Sequence, residues 1–180
     1  MLLAGCFLFL SKSQPVEKLA PTRPQPNICN LYVLFSVLLQ FLLHVAVLYL
    51  IVTNATRWSF RIVVDENTKF TPGLVNTAVY LVSLLMQVST FVVNYQGRPF
   101  RESLSENKPL RNSLMIVGGI SVVAALEMYP EFNAWLQLVP MPPKFRTLLV
   151  VLMVVDLGGC LVLEWLCKKL LFDARPKIAA

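Results

Sequence analysis

NLYVLFSVLLQFLLHVAVLYLIVT, residues 30–53, has His44 as its one ionisable side chain apart from two tyrosines. At about 1.5 Å per residue it is long enough to cross a roughly 30 Å hydrocarbon core. Three more stretches on the C-terminal side have the same character: 74–95, 112–128 and 147–167. The weakest is 112–128, whose apolar heart runs only from Leu114 to Leu126; it predicts a thin or tilted crossing, or a re-entrant segment. Residues 1–11 are almost wholly apolar yet reach only about half of the core thickness before Ser11 and Lys12. They read as the end of a transmembrane helix whose first half lies outside this sequence. The expected fold is an all-α membrane protein, a partial N-terminal transmembrane helix plus four transmembrane helices in a bundle.

Composition agrees. Hydrophobic residues make up 56% of the chain, mean hydropathy is +0.64, and the apolar residues come in blocks. The net charge of +6 sits in short segments between those blocks, without the contiguous basic stripe a duplex requires, so nucleic acid is excluded as a partner. Leu3-Ala4-Gly5-Cys6 looks like a lipoprotein cleavage site, but no basic region precedes it and too few residues do. Of the cysteines, Cys6, Cys160 and Cys167 lie in or beside apolar stretches, Cys29 sits at a helix entrance, and none has C-x-x-C spacing. They read as small packing residues.

Four crossings after the partial helix put 12–29, 96–111 and the 168–180 tail on one side of the membrane, with 54–73 and 129–146 on the other. The first side carries Lys12, Lys18, Arg23, Arg98, Arg101, Lys108, Arg111, Lys168, Lys169, Arg175 and Lys177; the second carries Arg57, Arg61, Lys69, Lys144 and Arg146. The positive-inside rule makes the first side, including the C-terminus, cytosolic. Pro15, Pro21, Pro24 and Pro26 favour an extended connector over 12–29. Phe132, Trp135, Leu136 and Val139 have the spacing of an amphipathic turn lying in the interface, with Trp58 and Trp135 in its aromatic belt. The sequon at Asn54 abuts a helix end too closely for easy glycosylation.

Asn76, Tyr80, Ser83, Gln87, Thr90 and Asn94 follow one another at steps of four and three, which places them in one stripe about 80° wide on a helix. Lipid cannot satisfy such groups, so the stripe should face protein or a wet cavity. Interhelical hydrogen bonding is the favoured reading, and the wall of a transport path the alternative. Asp156 stands near the centre of 147–167, where a carboxylate costs roughly 2.5–3.5 kcal/mol on the insertion scale; it must be buried, paired or protonated. With no basic residue evident at its depth, it reads as a hydrogen-bonding anchor ahead of an ion or proton site. Glu164 can reach the interface and requires no special role. His44 shares a face with Gln40 and Ser36 and reads as a satisfied interhelical histidine. No metal site is expected, because no Cys or carboxylate stands at ligand spacing from it in sequence. Gly118-Gly119 and Gly158-Gly159 suggest close backbone approach. The chain has no G-x-x-x-x-G-K-[ST], G-x-S-x-G or H-E-x-x-H motif, so no catalytic or cofactor-binding residues are assigned.

Pro15-Val16-Glu17-Lys18-Leu19, Arg23-Pro24-Gln25-Pro26-Asn27-Ile28 and Asn30-Leu31-Tyr32 resemble the connector after the sixth core helix of type V-A P-type ATPases of the endoplasmic reticulum. A longer match runs from Phe70 through Asn76 and Tyr80, then Asn94-Tyr95-Gln96-Gly97-Arg98-Pro99-Phe100-Arg101-Glu102-Ser103 and Glu106-Asn107-Lys108-Pro109-Leu110. Glu131-Phe132-Asn133, Leu138-Val139-Pro140-Met141 and Asp156 also fit, whereas 54–69 does not. The resemblance implies a parent that hydrolyses ATP with magnesium through an aspartyl phosphate and extracts misinserted or mistargeted transmembrane helices. The phosphorylated D-K-T-G-T motif is absent from these residues. The expectation is a C-terminal membrane support region in the endoplasmic reticulum membrane, whose partners are the bilayer, the rest of the ATPase and client helices. A stand-alone multi-span scaffold without catalysis is the alternative.

Overall fold

The helices expected from hydropathy are present in a computed structural model that describes residues 2–16, 30–59 and 73–171. Most of the 12–29 connector with Cys29, the loop residues 60–72 and the tail from 172 lie outside the described residues. The elements are α1 (Leu2–Ser11), α2 (Leu31–Ser59), α3 (Leu74–Asn94), α4 (Lys108–Ala125), α5 (Pro130–Trp135) and α6 (Pro143–Leu171). Among the described residues α2, α3 and α6 are long and apolar enough to cross a membrane, and α2 and α6 form the most extensive helix pair.

Two helices run longer than expected because hydropathy marks where apolar residues end, whereas a helix ends where its backbone loses partners. Helix α2 continues six residues past Thr53, with its polar side chains satisfied on its own backbone: Thr53 Oγ1 donates to the Tyr49 carbonyl at 2.8 Å, Asn54 Nδ2 to Leu50 at 2.7 Å and Thr56 Oγ1 to Val52 at 2.8 Å. Helix α6 likewise extends beyond 147–167 at both ends, starting at Pro143, a residue suited to a first turn.

The helix expected over 112–128 has shifted bounds. Its helix starts at Lys108, where Asn107 caps it by accepting from the Leu110 N–H at 3.1 Å and Pro109 stands in the first turn. It stops at Ala125, and its 18 residues span about 27 Å, close to the roughly 30 Å of a hydrocarbon core. The last three expected residues, 126–128, form a turn instead. Glu127 takes φ 52°, and its carboxylate accepts from the Met141 N–H and from Arg146 Nη1 at 3.0 Å. Asn133 Nδ2 donates to the Ala124 carbonyl at 2.9 Å, tying α5 beneath α4. The amphipathic turn expected around Phe132 is thus a short helix, with Trp135 exposed and stacked on Phe132 at 6.1 Å.

Helix α4 packs between α1 and α3. Cys6, Val88, Leu110, Leu114 and Val117 make a buried cluster there, closed by the edge-to-face pair Phe7–Phe91 at 4.8 Å. The larger core lies between α2, α3 and α6, from Val47, Ile51 and Ala55 to Leu81, Phe145 and Leu149. Of the glycine pairs, only Gly159 meets a close neighbour, since a Cβ there would lie 2.6 Å from Leu43 Cδ2 on α2; Gly119 and Gly158 face open space.

The N-Y-x-G-x-P-F-x-E-S string, residues 94–103, folds into a clasp at the basic end of the bundle. Tyr95 Oη bonds Ser13 at 3.0 Å and donates to the Glu102 carbonyl at 2.8 Å; the Glu102 N–H donates to the Gln14 carbonyl at 3.0 Å. Arg98 pairs with Glu106, whose carboxylate also accepts from the Ser103 N–H at 2.7 Å and is held down at about 2 by that arginine and the Ser103 donors. The clasp closes over Gly97, where a Cβ would lie 2.9 Å from Ser103 Cα and 3.0 Å from the Glu102 carbonyl oxygen. Both obstacles are backbone, so Gly97→Ala forces the loop open. We expect a loss of about 1–3 kcal/mol, measured as a lower midpoint of thermal unfolding in detergent, with faster amide exchange at Glu102.

Candidate functional site

Sequence places Tyr32, Ser36, Gln40 and His44 at steps of four on α2, and Asp156, Cys160, Glu164 and Lys168 at steps of four on α6. Four residues bring a helix nearly back to the same face, and the two helices run antiparallel, so these rows meet. The structure brings them together as a polar ladder through half of the bundle. At its basic end Glu164 accepts from Tyr32 Oη and Ser36 Oγ, and pairs with Lys168 Nζ at 3.1 Å. Gln40 Nε2 donates to Ser36 Oγ at 2.8 Å, and Asn94 Nδ2 on α3 donates to Gln40 Oε1 at 3.1 Å.

The ladder's inner rung is His44 against Asp156, each at the middle of a 29-residue helix. His44 Nδ1 stands 2.7 Å from Asp156 Oδ1, and His44 Nε2 lies 3.8 Å from Cys160 Sγ. Asp156 is 1% exposed. The expectation that no basic residue matches its depth is therefore corrected: His44 does, from a helix more than a hundred positions away. The view of His44 as remote from any Cys or carboxylate is corrected likewise, since sequence spacing does not register neighbours across helices. Glu164, expected to reach the interface unaided, is buried with three partners. The step of four from Asp156 to Lys168 is the signal that could have exposed the α6 row.

The α3 stripe has a different surrounding. Asn76, Tyr80, Gln87, Thr90 and Asn94 are exposed and Ser83 half-buried, while the opposite face, including Ala78, Leu81, Val82 and Ser89, is buried. Gln87 Nε2 donates to the Ser83 carbonyl at 3.2 Å and Thr90 Oγ1 to Met86 at 2.9 Å, bonds within their own helix. Asn94 is the stripe residue that bonds another described helix. Below it an open cavity of about 660 Å³ is bordered by Phe7, Phe91, Asn94, Phe100 and Arg101.

These features define the class first: a multi-pass α-helical membrane protein with a charged ladder buried between two helices and a polar face left open on a third. No family model matches the chain. It is 44% identical over 98% of its length to the endoplasmic reticulum transmembrane helix translocase spfA of Aspergillus fumigatus, covering 14% of that protein. It is 43% identical over 98% to the endoplasmic reticulum transmembrane helix translocase of Schizosaccharomyces pombe, covering 15%, and 36% identical over 84% to the probable manganese-transporting ATPase PDR2 of Arabidopsis thaliana, covering 13%. The chain is homologous to a part of these proteins, and spans about one seventh of the length of the curated relatives it matches.

Two measurements test the ladder and the stripe. In a double-mutant cycle, His44→Ala and Asp156→Ala should couple by about 0.6–1.7 kcal/mol in detergent unfolding; additive losses would mean the two side chains do not interact. Asn94→Leu should destabilise the chain by a similar amount through loss of Gln40, whereas Gln87→Leu should leave its stability unchanged.

Proposed function

We propose that the chain is a membrane support region of an ATP-driven P-type translocase that extracts misinserted or mistargeted transmembrane helices from the endoplasmic reticulum membrane. The basic clasp and the C-terminus face the cytosol, and the open face of α3 meets the remainder of the ATPase. The observation that carries this reading is the end-to-end match, above 40% identity, to proteins named transmembrane helix translocases. The open polar stripe supports it independently, because a row of amide and hydroxyl side chains at membrane depth requires protein or water against it.

The chain's own residues do not fit ATP or magnesium. D-K-T-G-T and a phosphate-cradling glycine loop are absent from the sequence. The nucleotide chemistry therefore falls to other parts of the assembly. What these residues do is mechanical. Polar bonds spaced along α2 and α6 resist sliding of one helix past the other, so force exerted by the moving parts is met by a stiff pair.

The test uses the full-length protein reconstituted in liposomes with a mistargeted reporter helix. Tyr80→Leu combined with Gln87→Leu should lower ATP-dependent extraction several-fold while leaving unfolding of this region unchanged. Extraction at the unmodified rate would remove the α3 face from the mechanism, and extraction unaffected by deleting residues 30–171 would overturn the reading.

A further inference from the structure

We propose that His44, Asp156 and Cys160 form an intramembrane binding site for a divalent transition-metal ion of the zinc class. Their ligand atoms all lie within 4.8 Å of one another. The three side chains come from α2 and α6, so the cluster exists only when these helices are packed.

The two nitrogens of His44 are divided between two neighbours. Nδ1 meets Asp156 Oδ1 at 2.7 Å, the arrangement in which a carboxylate fixes the tautomer of a metal-binding imidazole and raises its basicity. Nε2 is then left facing Cys160 Sγ at 3.8 Å. Ligands at about 2.0 Å and about 2.3 Å from one tetrahedral ion stand about 3.5 Å apart, so a contraction of about 0.3 Å brings this gap to ligand spacing.

An orphaned atom points to a missing occupant. Asp156 Oδ2 is buried without a hydrogen-bond partner, and Ser89 Oγ, a fully buried hydroxyl on α3, stands beside the Cys160 thiol. Buried polar atoms ordinarily have partners, and a cation beside the thiol would supply one. His44 keeps 18% of its side chain exposed, which leaves an approach to the cluster.

The donor set selects the ion. Thiolate with imidazole suits Zn²⁺, whereas Mg²⁺ and Mn²⁺ favour oxygen sets. On binding, the Cys160 thiol releases its proton to solvent and the sulfur pair forms the bond to the metal. A divalent ion with one thiolate, one carboxylate and a neutral imidazole carries no net charge, which suits a site at the middle of two membrane helices.

The experiment uses the full chain purified in detergent, stripped with chelator and titrated with Co²⁺ alone. A thiolate-to-cobalt absorption band in the near ultraviolet, saturating at about one ion per chain and displaced by Zn²⁺, is expected. Cys160→Ser should abolish the band, and His44→Gln should weaken binding about tenfold or more. Because those variants disturb the core, a second measurement leaves the site intact: with Cys6, Cys29 and Cys167 replaced by serine, Zn²⁺ should slow alkylation of Cys160. No band, a band that survives Cys160→Ser, or Zn²⁺-independent alkylation overturns the proposal. Since the readout is metal occupancy, its failure is separate from any failure of helix extraction.

Discussion

The contact between His44 and Asp156 is what the bundle is organised around. Lipid is as apolar as leucine, so transmembrane helices gain little from hiding apolar side chains from one another; packing and polar contacts decide how they associate. A carboxylate at the middle of α6 is tolerable only beside a partner, and His44 stands at the middle of α2 with its Nδ1 at 2.7 Å. That requirement sets both rotation and vertical offset of the two helices. Once it is met, the remaining rungs follow from helical geometry, with Glu164 reaching Tyr32 and Ser36 two turns farther along α6.

The basic end is stabilised differently. There α1, α3 and α6 end, and exposed backbone needs partners. The clasp of residues 94–103 supplies them through Tyr95, the Gln14–Glu102 pairing and the backbone contact over Gly97. Asn107 joins clasp and helix, capping α4 through its oxygen and donating to the Phe9 carbonyl at 3.3 Å through its nitrogen. The shorter helix α4 is held by α1 and α3 on either side. The specific spelling of this segment is therefore explained by geometry as well as by kinship.

The two faces of α3 are satisfied differently. Its buried face serves the described bundle; on its polar stripe Gln87, Thr90 and Asn94 bond to their own helix backbone. Such bonds satisfy those side chains within the helix and leave the face open among the described residues.

Apolar run lengths were sufficient to read the all-α membrane fold and the positions of α2, α3 and α6, because burial in hydrocarbon leaves a local signature that needs no partner. Where polar side chains turned back onto the helix, as at Asn54, that signature ended before the helix did, and where Asn107 and Glu127 set the termini of α4 it was misplaced at both ends. The stripe on α3 was visible as a period, but its direction was not, since only neighbouring helices define inside and outside. His44, Asp156 and Cys160 each looked solitary. Their meeting was decided by tertiary structure, because two antiparallel helices juxtapose residues more than a hundred positions apart and linear spacing carries no record of that.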